Sequence, residues 1–324
     1  NMEEKLRDNH LLVSASPHLR TKEDVPQVML DVIIALVPAA LAAVYFFRWY
    51  ALRTILVCVI FAPLAEWISQ KIMKRKNTID DFSAVVTGLL LALTLPPTIP
   101  PWIAAIGAIV AIVLGKAIFG GLGWNPFNPA LVGRAVLTAS WPLEMTTWIK
   151  PITSGLIQAV TTATPLNIIK EKMIEEKLPT YLEMFLGNRA GSLGETSVLL
   201  ILIGALYLFY RKQITWHIPL SFAGIVVFLS FVLKLDVLFN LFAGGLMLGA
   251  FFMATDYVTS PLTRKGQVIF GLGCGLMTML IRLKGGFPEG VCYSILIMNM
   301  LTPAIDKFTV PKKFGAKSRM STNK

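Results

Sequence analysis

A chain of 324 residues that is 55% hydrophobic and only 15% charged lies far from the ordinary soluble balance of roughly 25% charged residues. With a mean hydropathy of +0.64 and many apolar runs of about 20 residues rather than a single terminal anchor, it reads as an all-α polytopic membrane protein whose first partner is the lipid bilayer. The formal net charge of +11 sits on Lys and Arg between apolar runs. Membrane topology accounts for it there, so no nucleic-acid partner is expected.

The polar start NMEEKLRDNHLLVSASPHLRTKEDVP carries no pattern of a cleavable signal peptide and reads as a tail over residues 1–27. Apolar runs between charges and Pro/Gly breaks then predict spans at 28–47, 54–71, 83–97, 101–119 and 126–140. A long polar connection follows at 141–195, then spans at 196–210, 217–234, 237–254, 266–282 and 289–306 and a basic tail at 307–324. That makes about ten transmembrane helices. Numbered this way, one side of the membrane collects 19 of the 30 Lys and Arg and the opposite side 10, with Arg134 inside the fifth span. The positive-inside rule places both termini in the cytoplasm and the 141–195 loop outside.

Two punctuated stretches look alike across the halves. GLLLALTLPP (88–97) and GLMLGAFFMA (245–254) each run a short apolar helix from a glycine into a polar, proline-bearing turn. This is the pattern of broken helices in a 5+5 inverted repeat, 28–140 against 196–306, with Thr94–Thr98 and Thr255–Pro261 as paired breaks facing one another near mid-membrane. Similar composition alone would produce the same likeness.

Few residues offer chemistry. GKAIFGGLGWNPFNPALVGR (115–134) combines a glycine cluster with two Asn-Pro steps. Glycines permit close backbone approach and leave the Asn125 and Asn128 amides to meet a planar polar ligand, or else to cap helix ends. Asp256, beside the second broken segment, is an ion-pathway candidate, or a partner for Arg264 at the boundary. Glu66 lies inside the second span, and one carboxylate makes no proton relay. The three histidines, His10, His18 and His217, form no intramembrane haem array, and Cys58, Cys274 and Cys292 have neither CxxC nor Cys/His spacing, so no metal is expected. QAVTTATPLN (158–167) reads by itself as a solvated, hydroxyl-rich loop.

The stretches SPHLRTKEDVPQVMLDVIIALVPA, SAVVTGLLLALTLPP, FGGLGWNPFNPALVGRA, AVTTATPL, GSLGETS, MATDYVTSPLT and FPEGV resemble, almost end to end, the D subunits of Rnf electron-transport complexes. More distantly they resemble the B subunit of Na⁺-translocating NADH:quinone reductase. The resemblance implies a membrane electron-transfer subunit of an ion-translocating ferredoxin:NAD⁺ oxidoreductase in the inner membrane of a bacterium or archaeon, without independent catalysis. It implies covalent FMN, esterified through its phosphate by a flavin transferase to Thr164 in Thr161-Thr162-Ala163-Thr164, and adds a non-covalent riboflavin within the bundle. Thr162 stands where a glycine is common, which leaves Thr161 or Thr162 as lesser acceptors. Implied partners are a G-type subunit with its own covalent FMN, membrane A and E subunits, and iron–sulfur B and C subunits. The alternatives are a quinone-reductase-type subunit and a redox-inactive channel or transporter, since the repeat also resembles the urea-transporter architecture.

Overall fold

The computed structural model describes residues 24–151, 161–162, 164–166, 179–285 and 290–311. Within them the chain is built of helices, joined by one ladder of two-residue strands. The first half comprises α1 (Val25–Phe47), α2 (Trp49–Ile72), α3 (Ser83–Thr94), α4 (Pro101–Ile112) and α5 (Pro129–Ser140). The short helices α6 (Pro142–Thr146) and α7 (Tyr181–Leu186) flank the polar connection. In the second half α8 (Val198–Tyr210) and α9 (His217–Val232) lead into the interrupted pair α10 (Val237–Phe242) and α11 (Leu246–Leu248), followed by α12 (Arg264–Lys284) and α13 (Val291–Thr309). Three helices, α1, α2 and α12, are long and apolar enough to cross a hydrocarbon core by themselves, and several shorter apolar helices accompany them.

Each sequence-predicted span contains a helix, with ends set by local chemistry. Proline occupies the first turn of α1, α4 and α5, where its missing N–H costs nothing. Asn128 caps α5 by accepting from the amides of Ala130 and Leu131. Thr180 and Glu183 close a capping box on α7, which ends at Gly187 in the left-handed region. The predicted eighth span is two pieces: Gly244 and Gly245, with φ of +68° and +65°, turn the chain between α10 and α11.

Two further departures from regular helix face the interior. The fourth span continues past α4 as a π-helical turn, Val113–Ala117, and α11 continues as another, Gly249–Met253. Such turns widen the bonding to i→i+5, as from Ile118 N to Val113 O and from Ala254 N to Gly249 O, and are frequent at functional sites.

Packing is close enough to require glycine at the crossings. A Cβ on Gly204 of α8 would lie 2.0 Å from the Ala35 carbonyl of α1, and one on Gly271 of α12 would lie 1.9 Å from Ser221 Oγ of α9. The core runs through both halves, from Ala35, Leu91 and Ile103 to Phe222, Phe270 and Ile295. Large apolar side chains such as Leu41, Ile60, Phe228 and Met300 are exposed on the outside, as lipid-facing helices require.

Candidate functional site: a docked threonine segment and two cavities

The polar connection is tied to the bundle at two points. β1 (Trp148–Ile149) pairs antiparallel with β2 (Thr161–Thr162), Trp148 opposite Thr162 and Ile149 opposite Thr161. Just beyond, Leu166 packs with Met184, Phe239 and Ala243, seating the segment on α10 and α7. The sequence predicts Thr164 presented on a loop, and the structure folds it inward at 3% exposure. Ala163 lies outside the described residues, as do the side chains of Thr161 and Thr162. The Arg282 guanidinium and Leu166 both crowd the face of Gly244, the Arg282 Nη2 3.0 Å from where a Cβ would stand. A cation beside the threonine segment fits a group attached through phosphate.

A pocket opens between the halves. Met29, Leu90, Leu208 and Phe252 give it apolar walls, and Asn125, Asn128, Thr255 and Asp256 bring polar groups into it. An apolar cleft with a few convergent polar atoms suits a planar organic ring. The two asparagines differ. The Asn128 side chain is committed, capping α5 and donating to the Met253 carbonyl at 3.2 Å. Asn125 donates to the Phe127 carbonyl at 3.1 Å, but its Oδ1 is buried without a partner. An orphaned acceptor in such a place calls for a donor, and a ring N–H of a bound heterocycle would fit it. Asp256, partly exposed in the same cavity, takes a hydrogen bond from Thr259 at 3.1 Å rather than pairing with Arg264.

A second, smaller cavity is lined by Thr94, Arg134, Glu195, Gly244, Gly245 and Cys292 among others. The sequence pairs the break at Thr94–Thr98 with the one at Thr255–Pro261. In the structure Thr94 shares a cavity with the Gly244–Gly245 turn, while Thr255 and Asp256 share theirs with Asn125 and Asn128. The two breaks therefore border different spaces, and each meets a glycine or asparagine turn of the opposite half.

The sequence profile of the NQR2, RnfD, RnfE family matches residues 12–315. The chain belongs to this family. It is 50% identical to the D component of the proton-translocating ferredoxin:NAD(+) oxidoreductase complex of Clostridium ljungdahlii, over 97% of this chain and 99% of that protein. It is 46% identical to the Na(+)-translocating counterpart of Acetobacterium woodii, over 96% and 97%. The corresponding component of the ion-translocating oxidoreductase complex of Escherichia coli (strain SMS-3-5 / SECEC) is 36% identical over 94% and 98%.

Around the candidate site stand charged groups whose partners the sequence pattern leaves unmarked. Arg134, 8% exposed, donates to the Thr94 carbonyl and satisfies the broken end of α3. Arg282 donates to the carbonyls of Asn240 and Ala243 at 2.6 and 2.7 Å and does the same for α10. Asp31 of α1, 4% exposed, accepts from Tyr207 at 2.9 Å, Arg211 at 3.0 Å and Gln213 at 3.3 Å. The one available signal was charge within an apolar run, which marks a buried polar group without naming its partner.

Proposed function

We propose that the chain is the membrane electron-transfer subunit of an ion-translocating ferredoxin:NAD⁺ oxidoreductase complex, carrying covalent FMN on Thr164 and a second, non-covalent flavin, riboflavin, in the cavity at Asn125. The observation that carries the reading is identity of 46–50% over nearly the whole chain to proteins named for that reaction. The bundle contributes position and electrostatics, while bound flavin supplies the electron-accepting chemistry. Asn125 Oδ1 would accept from the ring, Met29, Leu208 and Phe252 would exclude water from it, and Arg282 would balance the phosphate charge near Thr164. A relay is required because the roughly 30 Å hydrocarbon layer is too wide for one efficient electron transfer.

The equivalent packing of α9 against α12 and of α2 against α4, together with the α1–α8 crossing, supports a 5+5 inverted repeat of urea-transporter-like form. The charge distribution supports cytoplasmic termini and an extracytoplasmic threonine segment. Partners follow from membership of the complex: the G-type flavoprotein, the membrane A and E subunits, the iron–sulfur B and C subunits, and a flavin transferase that modifies Thr164. Because Thr164 is folded away, the transferase would act before the segment docks on α10.

Peptide mapping by mass spectrometry tests the covalent site, with Thr164→Ala as the variant. The variant is expected to insert and to lose its in-gel flavin fluorescence completely. Covalent flavin retained by the variant would refute the assignment.

A further inference from the structure

Glu66 and Lys116 are separated by 50 residues of sequence, one within the second span and the other near the end of the fourth. The structure brings them together inside the protein. Lys116 Nζ lies 2.6 Å from Glu66 Oε1, at 2% and 3% exposure, and donates to Ser83 Oγ at 2.5 Å. The π-helical turn Val113–Ala117 carries Lys116 to this position. Ser83 Oγ in turn donates to Asp81 Oδ1. Gln70 holds the same Glu66 oxygen at 3.2 Å. The other oxygen, Glu66 Oε2, is buried with no partner.

Glu66 also borders another space. A cavity distinct from the one at Asn125 is lined by Glu66, Gln70, Arg75, Asp81, Lys116 and Trp124 among others. Lys116 lines both cavities, Glu66 only the outer one, and Ser83 only the inner one. The charged groups facing the pair are Asp81, Arg75 and Lys76, and Arg75 is engaged with the Ala117 carbonyl at 2.8 Å. A buried ion pair is poor at stabilising a fold compared with apolar residues of the same volume. This pair instead stands between two spaces, Glu66 on one and Lys116 on both, with one carboxylate oxygen left without a partner.

We propose that Glu66, Lys116 and Ser83 form a proton relay between the two cavities. With Ser83 holding its Nζ, Lys116 gives an N–H proton to the inner cavity and becomes a neutral amine; Glu66 takes a proton from a water of the outer cavity at Oε2, leaving hydroxide there, and a half-turn of the carboxyl delivers that proton to the amine, which is ammonium again. Each step breaks one bond to hydrogen and forms another, and no electrons move. The acceptor in the inner cavity is a nitrogen of a reduced flavin ring, or the Asp256 carboxylate. The flavin acceptor rests on the reading given above, whereas the relay does not.

The test uses the complete detergent-solubilised complex, following flavin reduction by NADH across pH in H₂O and D₂O. Glu66→Gln is expected to slow reduction about tenfold to a hundredfold, the range of a lost acid–base group. It should also flatten the pH profile and remove the D₂O effect, and Glu66→Asp should recover part of the rate. Because Lys116→Met alone leaves a buried unpaired carboxylate, the neutral double variant Glu66→Gln/Lys116→Met is the second arm. It is expected to assemble and remain slow. Wild-type rate and pH profile in Glu66→Gln would overturn the relay, and so would a double variant that regains the wild-type rate, since the pair would then be structural. Denaturing extraction that releases no flavin from the wild-type complex would refute the flavin reading alone, and the pH profile would still decide the relay with Asp256 as acceptor.

Discussion

Arg282 holds the break on which the threonine segment rests. It donates to the Asn240 carbonyl at 2.6 Å and the Ala243 carbonyl at 2.7 Å, and it is 7% exposed. These carbonyls are the orphaned acceptors at the end of α10, where the glycine turn prevents the helix from continuing. Arg282→Met keeps an apolar stem and removes the guanidinium, leaving two buried carbonyls without donors. Charge-assisted bonds of this kind are worth about 1.5–3 kcal/mol each, so the local cost is about 3–6 kcal/mol. At about 1.4 kcal/mol per factor of ten, the open population of α10 and its turn rises about a hundredfold or more. Amide hydrogen exchange over Val237–Leu248 reads this directly. Because Leu166 packs on Phe239 and Ala243, the amide of Leu166 should lose protection with them. An increase below about threefold over these residues would show that the glycine turn, and not Arg282, holds the break.

Two other perturbations address the ends of the scaffold and its charge. Tyr181 donates to Asp236, and this bond, with burial and the neighbouring carboxylate, raises the phenol above its ordinary value. A raised value means that the contact stabilises the fold fully below the unfolded pKa of about 10 and is lost as pH rises through the folded value. Tyr181→Phe should therefore remove the alkaline destabilisation between α7 and α10, as followed by tyrosinate absorbance and thermal unfolding, and an unchanged alkaline limb would contradict the sign. Asp256→Asn in the reconstituted complex separates two roles for the inner cavity. Loss of ion pumping with electron transfer retained places the ion route at Asp256, whereas unchanged pumping per electron leaves the chain as a flavin carrier alone.

The spans were legible because an apolar run of fixed length in a charge-poor chain has few alternatives to a helix. The helix ends were legible where prolines and asparagines carry local signals, as at Pro129 and Asn128. The break inside the eighth span was visible only as two glycines, since nothing local distinguishes a positive-φ pair from a packing pair. Asn128 shows a limit of another kind: both readings of its amide were open in sequence, and the structure makes it a cap. Asn125, three residues earlier and of the same type, retains the unsatisfied oxygen. Glu66 and Lys116 were invisible as a pair because contact between second and fourth spans is a property of packing.

The two cavities beside the broken helices meet at a narrow seal. Asn128 donates from its side chain to the Met253 carbonyl, and Leu131 and Met253 line the second cavity immediately beyond. The amide of Asn299, oriented to satisfy both neighbours, donates to the Ile295 carbonyl and accepts from the Asn128 N–H, fixing α5 against α13. An electron crosses such a seal by tunnelling through packed atoms. An ion cannot, because a charge deprived of water in a dry, apolar constriction costs several kcal/mol or more unless ligands replace its shell. On the proposed reading, electron transfer between a flavin at Thr164 and one in the Asn125 cavity would need no movement of α5 or α11, whereas an ion route between the two cavities would have to break the Asn128–Met253 bond. Protons passed by the proposed Glu66–Lys116 relay would arrive in the cavity that Asn128 lines, on one side of that bond. Redox and proton traffic of this kind would therefore run with the contact closed, and ion crossing would be the one process that has to open it.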